Sequence, residues 1–278
     1  MLPDAGIAHV SDTALLTAAC RALESDRPDA LFQDPFAAAL AGERGMAILQ
    51  NLGRLTLPFG IAIRTKFMDR LVTETVEAHG IQTVLSLGCG LDSRPWRLPL
   101  PASLRWVEVD FPAMLDYKDS VLASAEPSCE RRRLPADLSD PADRARAFAA
   151  AQGPTLVITE GLLMYLPAQE IAALAATGTA QFWMLEVTSR AFMHVIGGYA
   201  KSVQDVRAQD HLEGDEILDL MSRHGWVGMR HLNYGADIMA IASERVLAMF
   251  RDLPPEQMPK PQPDGDTSGV HLLSKTGT

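Results

Sequence analysis

Cysteine is scarce in this chain of 278 residues: Cys20, Cys89 and Cys129 stand far apart and are odd in number. With no C-x-x-C pair, neither a disulfide framework nor a thiolate metal site is expected, and a reducing cytoplasm suits the protein. The seven histidines are scattered, with no H-E-x-x-H and no pair at ligand spacing, so no metal is expected. Basic residues are in deficit: 25 Lys and Arg against 35 Asp and Glu give a formal charge of −10, which disfavours a nucleic-acid partner. The short run Arg131-Arg132-Arg133 is read as a surface cap on a strand. No apolar run approaches the ~18 residues of a membrane span. Met1-Leu2-Pro3-Asp4 has neither the basic start nor the apolar core of a secretion signal.

What is present is an ordinary globular composition, 47% hydrophobic and 22% charged, enough to bury a sizeable core as one large domain over 1–278. Ser11-Asp12-Thr13 offers an N-cap to a helix over Ala14 to Leu23, and Asp34-Pro35-Phe36 starts another with Pro35 in its first position. Gly42, Gly45, Gly53 and Pro58 divide the region into short pieces, a helical cap over residues 1–60. Ile61 to Ala78 is an amphipathic helix, with Arg64 near its start, where a cation calls for a carboxylate partner. Strands are predicted over Thr83–Leu87, Leu104–Val109, Arg133–Leu138, Thr155–Glu160, Gln181–Val187, Trp226–His231 and Val270–Ser274. Helices are predicted over Pro112–Ala125, Pro141–Ala151, Ala168–Ala176, Asp215–His224 and Ala236–Phe250. This alternation implies an α/β fold with a largely parallel seven-stranded sheet and helices on both faces. Residues 188–212, with Gly197-Gly198, read as a lid inserted over the site, and Leu253 to Ser268 as a Pro-rich connection.

The stretch Thr83 to Asp110 organises the rest. A buried strand stops at Gly88-Cys89-Gly90, and the next strand closes on Asp110 about 20 residues later, the arrangement of an adenosine site. Glycine lets backbone approach a ligand closely, and Asp110 can accept from both ribose hydroxyls. A dinucleotide fold carries G-x-G-x-x-G, but here Ser93 takes the third glycine's place and Asp92 precedes it. A carboxylate in that turn repels a pyrophosphate and suits a ligand with an ammonium and no phosphate, such as S-adenosylmethionine. Asp137 and Glu160 stand at the ends of the following strands, so three acids mark successive strand tips, where an open parallel sheet binds its ligand. They would hold the ribose (Asp110), the adenine (Asp137) and the methionine end (Glu160).

These residues also resemble a family. Arg64, Leu87-Gly88-Cys89-Gly90-Leu91-Asp92-Ser93-Arg94, Val107-Glu108-Val109-Asp110-Phe111-Pro112, Ala136-Asp137-Leu138 and Thr159-Glu160-Gly161-Leu162-Leu163-Met164-Tyr165-Leu166, in this order, resemble the leucine carboxyl methyltransferase family. Its bacterial branch, with the polyketide-type O-methyltransferases, fits best, and Val10 to Ala14 and Arg27 to Phe36 echo its N-terminal part. The resemblance implies a Rossmann-like class I methyltransferase with an added helical lid, using S-adenosyl-L-methionine and releasing S-adenosyl-L-homocysteine. It implies Arg64 at the cofactor's carboxylate, Gly88 and Gly90 along its amino-acid part, Asp110 at the ribose, Asp137 and Leu138 at the adenine, and Glu160 at the ammonium. The expected acceptor is a carboxylate or hydroxyl of a small molecule. A carboxylate needs no general base at pH 7, whereas a phenol would, with His211 or His194 as candidates; Tyr165 would line the acceptor pocket. An NAD-linked oxidoreductase and a non-catalytic S-adenosylmethionine binder are the competing readings.

Overall fold

In the computed structural model the described residues are 7, 9–52, 56–189, 210–251 and 265–276. The predicted lid falls largely on residues 190–209, and most of the Pro-rich connection on 252–264, outside the described residues.

Seven strands form one sheet: β1 (Thr83–Leu87), β2 (Arg105–Asp110), β3 (Glu130–Pro135), β4 (Thr155–Thr159), β5 (Phe182–Val187), β6 (Trp226–Asn233) and β7 (Gly269–Lys275). Their spatial order is β3-β2-β1-β4-β5-β7-β6, with β7 antiparallel to both its neighbours and the pairs from β3 through β5 parallel. From β1 the chain builds outward through β2 and β3, then returns to the other side of β1 for β4 and β5. The crevice of such a sheet opens where those two directions part, beyond the carboxyl ends of β1 and β4.

Helices α1 (Val10–Ser25), α2 (Ala37–Leu52), α3 (Thr56–His79), α4 (Arg94–Arg97), α5 (Pro112–Val121), α6 (Pro141–Ala149), α7 (Ala168–Ala176), α8 (Gly214–Arg223) and α9 (Ile238–Phe250) complete the described elements. β1 and β4 are buried along their whole length, their polar members Thr83, Ser86, Thr155 and Thr159 included, as central strands covered on both faces are. Leu85, Leu87, Val107 and Val157 face one core with Trp183, Ile171 and Ile217, while Val84, Trp106, Leu156 and Ile158 face the other with Phe67, Leu71 and Ala242. A third apolar cluster belongs to the cap, where Leu16, Leu40, Ile48 and Leu49 pack with Leu57, Ile61 and Leu91.

Several boundaries differ from expectation, each for a local reason. α1 begins earlier, with His9 as N-cap and Asp12 returning to its backbone in a capping box, so Asp12 is the third-position acid rather than part of the cap. Asp34 Oδ1 accepts from Phe36 N–H (3.1 Å) as an N-cap would, while its Oδ2 turns inward to Arg21, and the regular helix starts at Ala37. Gly42 kinks α2 at φ +57° without ending it, and Gly45 lies where a Cβ would stand 2.6 Å from the Leu15 carbonyl oxygen of α1. Pro58 sits in the first turn of α3, where its missing N–H costs nothing, so the helix starts at Thr56 and Arg64 lies well inside it. The third strand lies three residues earlier than predicted, and the arginine triplet is inside it. β3 is an edge strand with only partly covered faces, so it carries ion pairs in place of an apolar pattern: Arg131 with Glu108 and Asp119, Arg132 with Glu130, Arg133 with Asp116 and Asp119.

Candidate active site

β1 ends at Leu87 and the chain turns through Gly88 (φ +60°) and Gly90 (φ +47°). The positive φ at Gly88 favours glycine, and a Cβ there would come within 2.9 Å of the Leu162 side chain, which would have to shift. Gly90 N–H donates to Asp110 Oδ2 (2.7 Å) and Phe111 N–H to Asp110 Oδ1 (2.7 Å), joining the turn to the tip of β2. Burial pushes the Asp110 carboxyl up, and the two N–H bonds oppose that shift. Each oxygen accepts one backbone bond and retains a lone pair for a ligand.

The turn forms one wall of a cavity of about 430 Å³, within the roughly 300–1,000 Å³ typical of small-molecule sites. Arg64, Gly88, Gly90, Asp110, Asp137, Leu138, Glu160 and Tyr165 all line it, so the structure brings together in one hollow residues drawn from α3 and from the tips of β1, β2, β3 and β4. Asp137 is exposed, and its Oδ1 accepts from Ser139 N–H (2.9 Å) and Ser139 Oγ (2.7 Å). The Leu138 side chain is buried. Tyr165 closes a single 3-10 turn, Leu163–Tyr165. α1 covers the opposite side with Ser11, Thr13, Ala14 and Thr17. His211 is not among the residues lining this cavity; it bridges to the Pro167 backbone, with Glu213 at 3.9 Å. His194 lies outside the described residues.

Beneath the cavity lies a lattice of ion pairs that sequence reading missed. Glu160 Oε2 accepts from Arg94 Nη1 (2.6 Å), and its Oε1 stands 2.9 Å from Arg64 Nε. Burial alone would raise the Glu160 carboxyl, but Arg94 and Arg64 outweigh it and bring it down to about 2. Arg94, 2% exposed, also reaches Asp69 Oδ1 (2.8 Å) and Asp92 Oδ2 (3.1 Å). Arg97 grips both oxygens of Asp69 (2.6 and 2.7 Å). Asp34 accepts from Arg21 Nε (2.8 Å) and Ser93 Oγ (2.7 Å), tying the cap to the turn. The carboxylate partner expected for Arg64 is in fact a pair of them, Glu160 and Glu186. One sequence signal pointed here: two arginines, Arg94 and Arg97, placed directly after the glycine turn in an otherwise apolar setting.

The acids therefore do not surround the site as bare negative charge. Glu160 and Asp92 are largely compensated, so repulsion by Asp92 is a weaker argument against a pyrophosphate than it first appears. The helix after the turn decides the point instead: α4 has four residues, too short to aim the dipole and free N–H groups that a dinucleotide fold uses.

Residues 14–179 match the family model described as leucine carboxyl methyltransferase. The chain belongs to this family. Among its relatives, a Streptomyces avermitilis protein named "Putative S-adenosyl-L-methionine-dependent methyltransferase" is 36% identical over 239 residues, covering 79% of this chain and 83% of that protein. A Streptomyces coelicolor protein of the same name is 42% identical over 177 residues, 59% of this chain but 62% of that protein, so the chain spans less than two thirds of that relative's length. Among solved structures, a Thermobifida fusca protein described as a "putative methyltransferase" superposes with a TM-score of 0.57 at 16% identity, covering 86% of this chain and 92% of that one, a likeness of fold alone. The Streptomyces relatives in the family are named as S-adenosyl-L-methionine-dependent methyltransferases, which makes that cofactor the one to fit to this cavity. The cavity suits this cofactor on its own geometry: a cradle at Gly88 that a Cβ would fill, and a half-buried carboxylate at Asp110 with acceptor capacity to spare. Among the described residues no helix is long and apolar enough to cross a membrane, and no group of three His, Cys, Asp or Glu could hold a metal ion.

Proposed function

We propose that this cavity holds S-adenosyl-L-methionine and that the chain methylates an oxygen, carboxylate or hydroxyl, of a small organic molecule of the polyketide-metabolite kind. The observation that carries the reading is convergence: Asp110, Asp137 and Glu160, far apart in the chain, line one hollow beside the Gly88–Gly90 turn. In this reading Asp110 accepts from the ribose hydroxyls and Asp137 and Leu138 bracket the adenine. Gly88, Arg64 and Glu160 receive the amino-acid end. The bound cofactor supplies an electrophilic methyl group on a sulfonium sulfur. The chain must place the acceptor oxygen about 3 Å from that methyl and keep water away. The cap helix α1 and the Leu162–Leu166 segment, which both line the cavity, provide that cover.

The acids at the site favour an acceptor that arrives ionised. In this reading Asp110 is occupied by the ribose, and Glu160 is held low by two arginines, so neither is poised to take a proton. A carboxylate needs no such help at pH 7.

Titration of the purified protein with S-adenosylhomocysteine and with NAD is expected to show saturable binding of the first alone. A methyl-transfer screen across small acids and phenols should then yield a methyl ester or ether. Binding of NAD in preference, or tight cofactor binding with no product from any acceptor, would replace this reading.

A further inference from the structure

Glu186, at the end of β5, does not line the cofactor cavity; it sits behind it, in a small cleft with Gly161 and Leu162. Its Oε1 accepts twice: from Arg64 Nη1 (2.9 Å), and from the N–H of Gly161 (3.1 Å), the residue after Glu160. Its Oε2 is 3.5 Å from the hydroxyl of Tyr234, whose ring stacks on Phe67 of α3 at 6.2 Å. One carboxylate oxygen thus ties together the helix carrying Arg64 and the turn carrying Glu160.

We infer that Glu186 is a positioning residue for the amino-acid end of the cofactor, setting the Arg64 guanidinium and the Glu160–Gly161 turn in the orientation that receives it. The inference rests on the cavity being the S-adenosylmethionine site. The physical reason is competition for one guanidinium. Arg64 stands between two carboxylates, Nε toward Glu160 and Nη1 toward Glu186. Without the Glu186 charge it would be drawn wholly onto Glu160. That would turn the guanidinium away from an incoming carboxylate and further neutralise the acid that faces the ammonium. Charge-assisted contacts of this kind are short and directional, so a small reorientation of their anchor is felt at the ligand.

Glu186→Gln tests this, because glutamine keeps an acceptor for the Gly161 N–H and removes the charge. Two probes are titrated into wild type and variant: S-adenosylhomocysteine, which has the amino-acid end, and 5′-methylthioadenosine, which lacks it. The variant is expected to bind S-adenosylhomocysteine roughly tenfold more weakly, the size of about one misplaced charge-assisted contact, and to bind 5′-methylthioadenosine unchanged. In an Arg64→Ala background the same substitution should have no further effect, since Glu186 acts through Arg64. Equal weakening of both probes would mean a general structural role and overturn the inference, as would no change in either or a full effect persisting without Arg64. If wild type binds neither probe, the cofactor reading itself fails, which a thermally stable wild-type protein would distinguish from misfolding.

Discussion

Asp110 shows how much of the site depends on a single side chain. It terminates β2, it receives the Gly90 and Phe111 N–H groups, and it faces the cavity. Asp110→Ala leaves both N–H groups without their acceptor and removes the proposed ribose contact. S-adenosylhomocysteine affinity should drop by about 1–3 kcal/mol, the cost of abandoned buried partners, as read by calorimetry. Wild-type affinity in that variant would refute the ribose assignment. Glu160 is the opposite case: a residue expected to offer open negative charge turns out to be held by Arg94 and Arg64, so its role depends on neighbours that its own position in the chain does not reveal.

Among the elements, β2 carries an unusual burden. Glu108 lies fully buried in its middle, where alternation would place an apolar side chain. Its Oε1 accepts from Lys118 Nζ of α5 (2.6 Å) and its Oε2 from Arg131 Nε of β3 (2.7 Å), and Trp96 of α4 lies under both cations, 5.7 Å from Lys118 and 4.8 Å from Arg131. Removing one member of a buried pair strands the other, a more costly change than replacing both. Glu108→Leu should therefore lower unfolding stability by about 3–5 kcal/mol in urea titration. Adding Lys118→Met should recover part of the loss. If the double variant is no more stable than the single, the pair does not anchor α5 to the sheet. The same argument explains why an apolar pattern placed β3 three residues late: Arg131 and Arg133 inside it are chosen by partners on β2 and α5.

For the whole molecule, acid sensitivity follows from groups that burial or an ion pair holds away from their ordinary ionisation. His271 of β7 stacks on His231 of β6 with ring centroids 4.0 Å apart, and burial brings its imidazole down to about 4 from the ordinary 6.5. The unfolded chain takes up that proton first. Stability is therefore complete above about pH 6.5 and falls as pH drops toward 4, by roughly 3 kcal/mol from this group. His231 is lowered too, chiefly by burial, and acts with the same sign. Glu160 extends the trend: ordinary near 4.5 and about 2 when folded, it stabilises the fold above 4.5 and loses that contribution as pH falls toward 2. Urea midpoints between pH 7 and 4 should show this decline, and His271→Gln should flatten it without removing it. An unchanged slope in that variant would mean His271 is not what titrates.

Local patterning in the sequence determined the strands, the glycine turn and the tip acids, because strand periodicity and glycine's freedom at Gly88 act over a few residues. The order of motifs then named the family, and with it the chemistry. Only the tertiary structure decided how the charges are shared. Arg64 meets Glu186 across 122 residues and Arg94 meets Glu160 across 66. No periodicity links such positions; burial of each charge forces it to find an opposite one, and which one is reached depends on how β1, β4 and β5 bring their ends together beside α3.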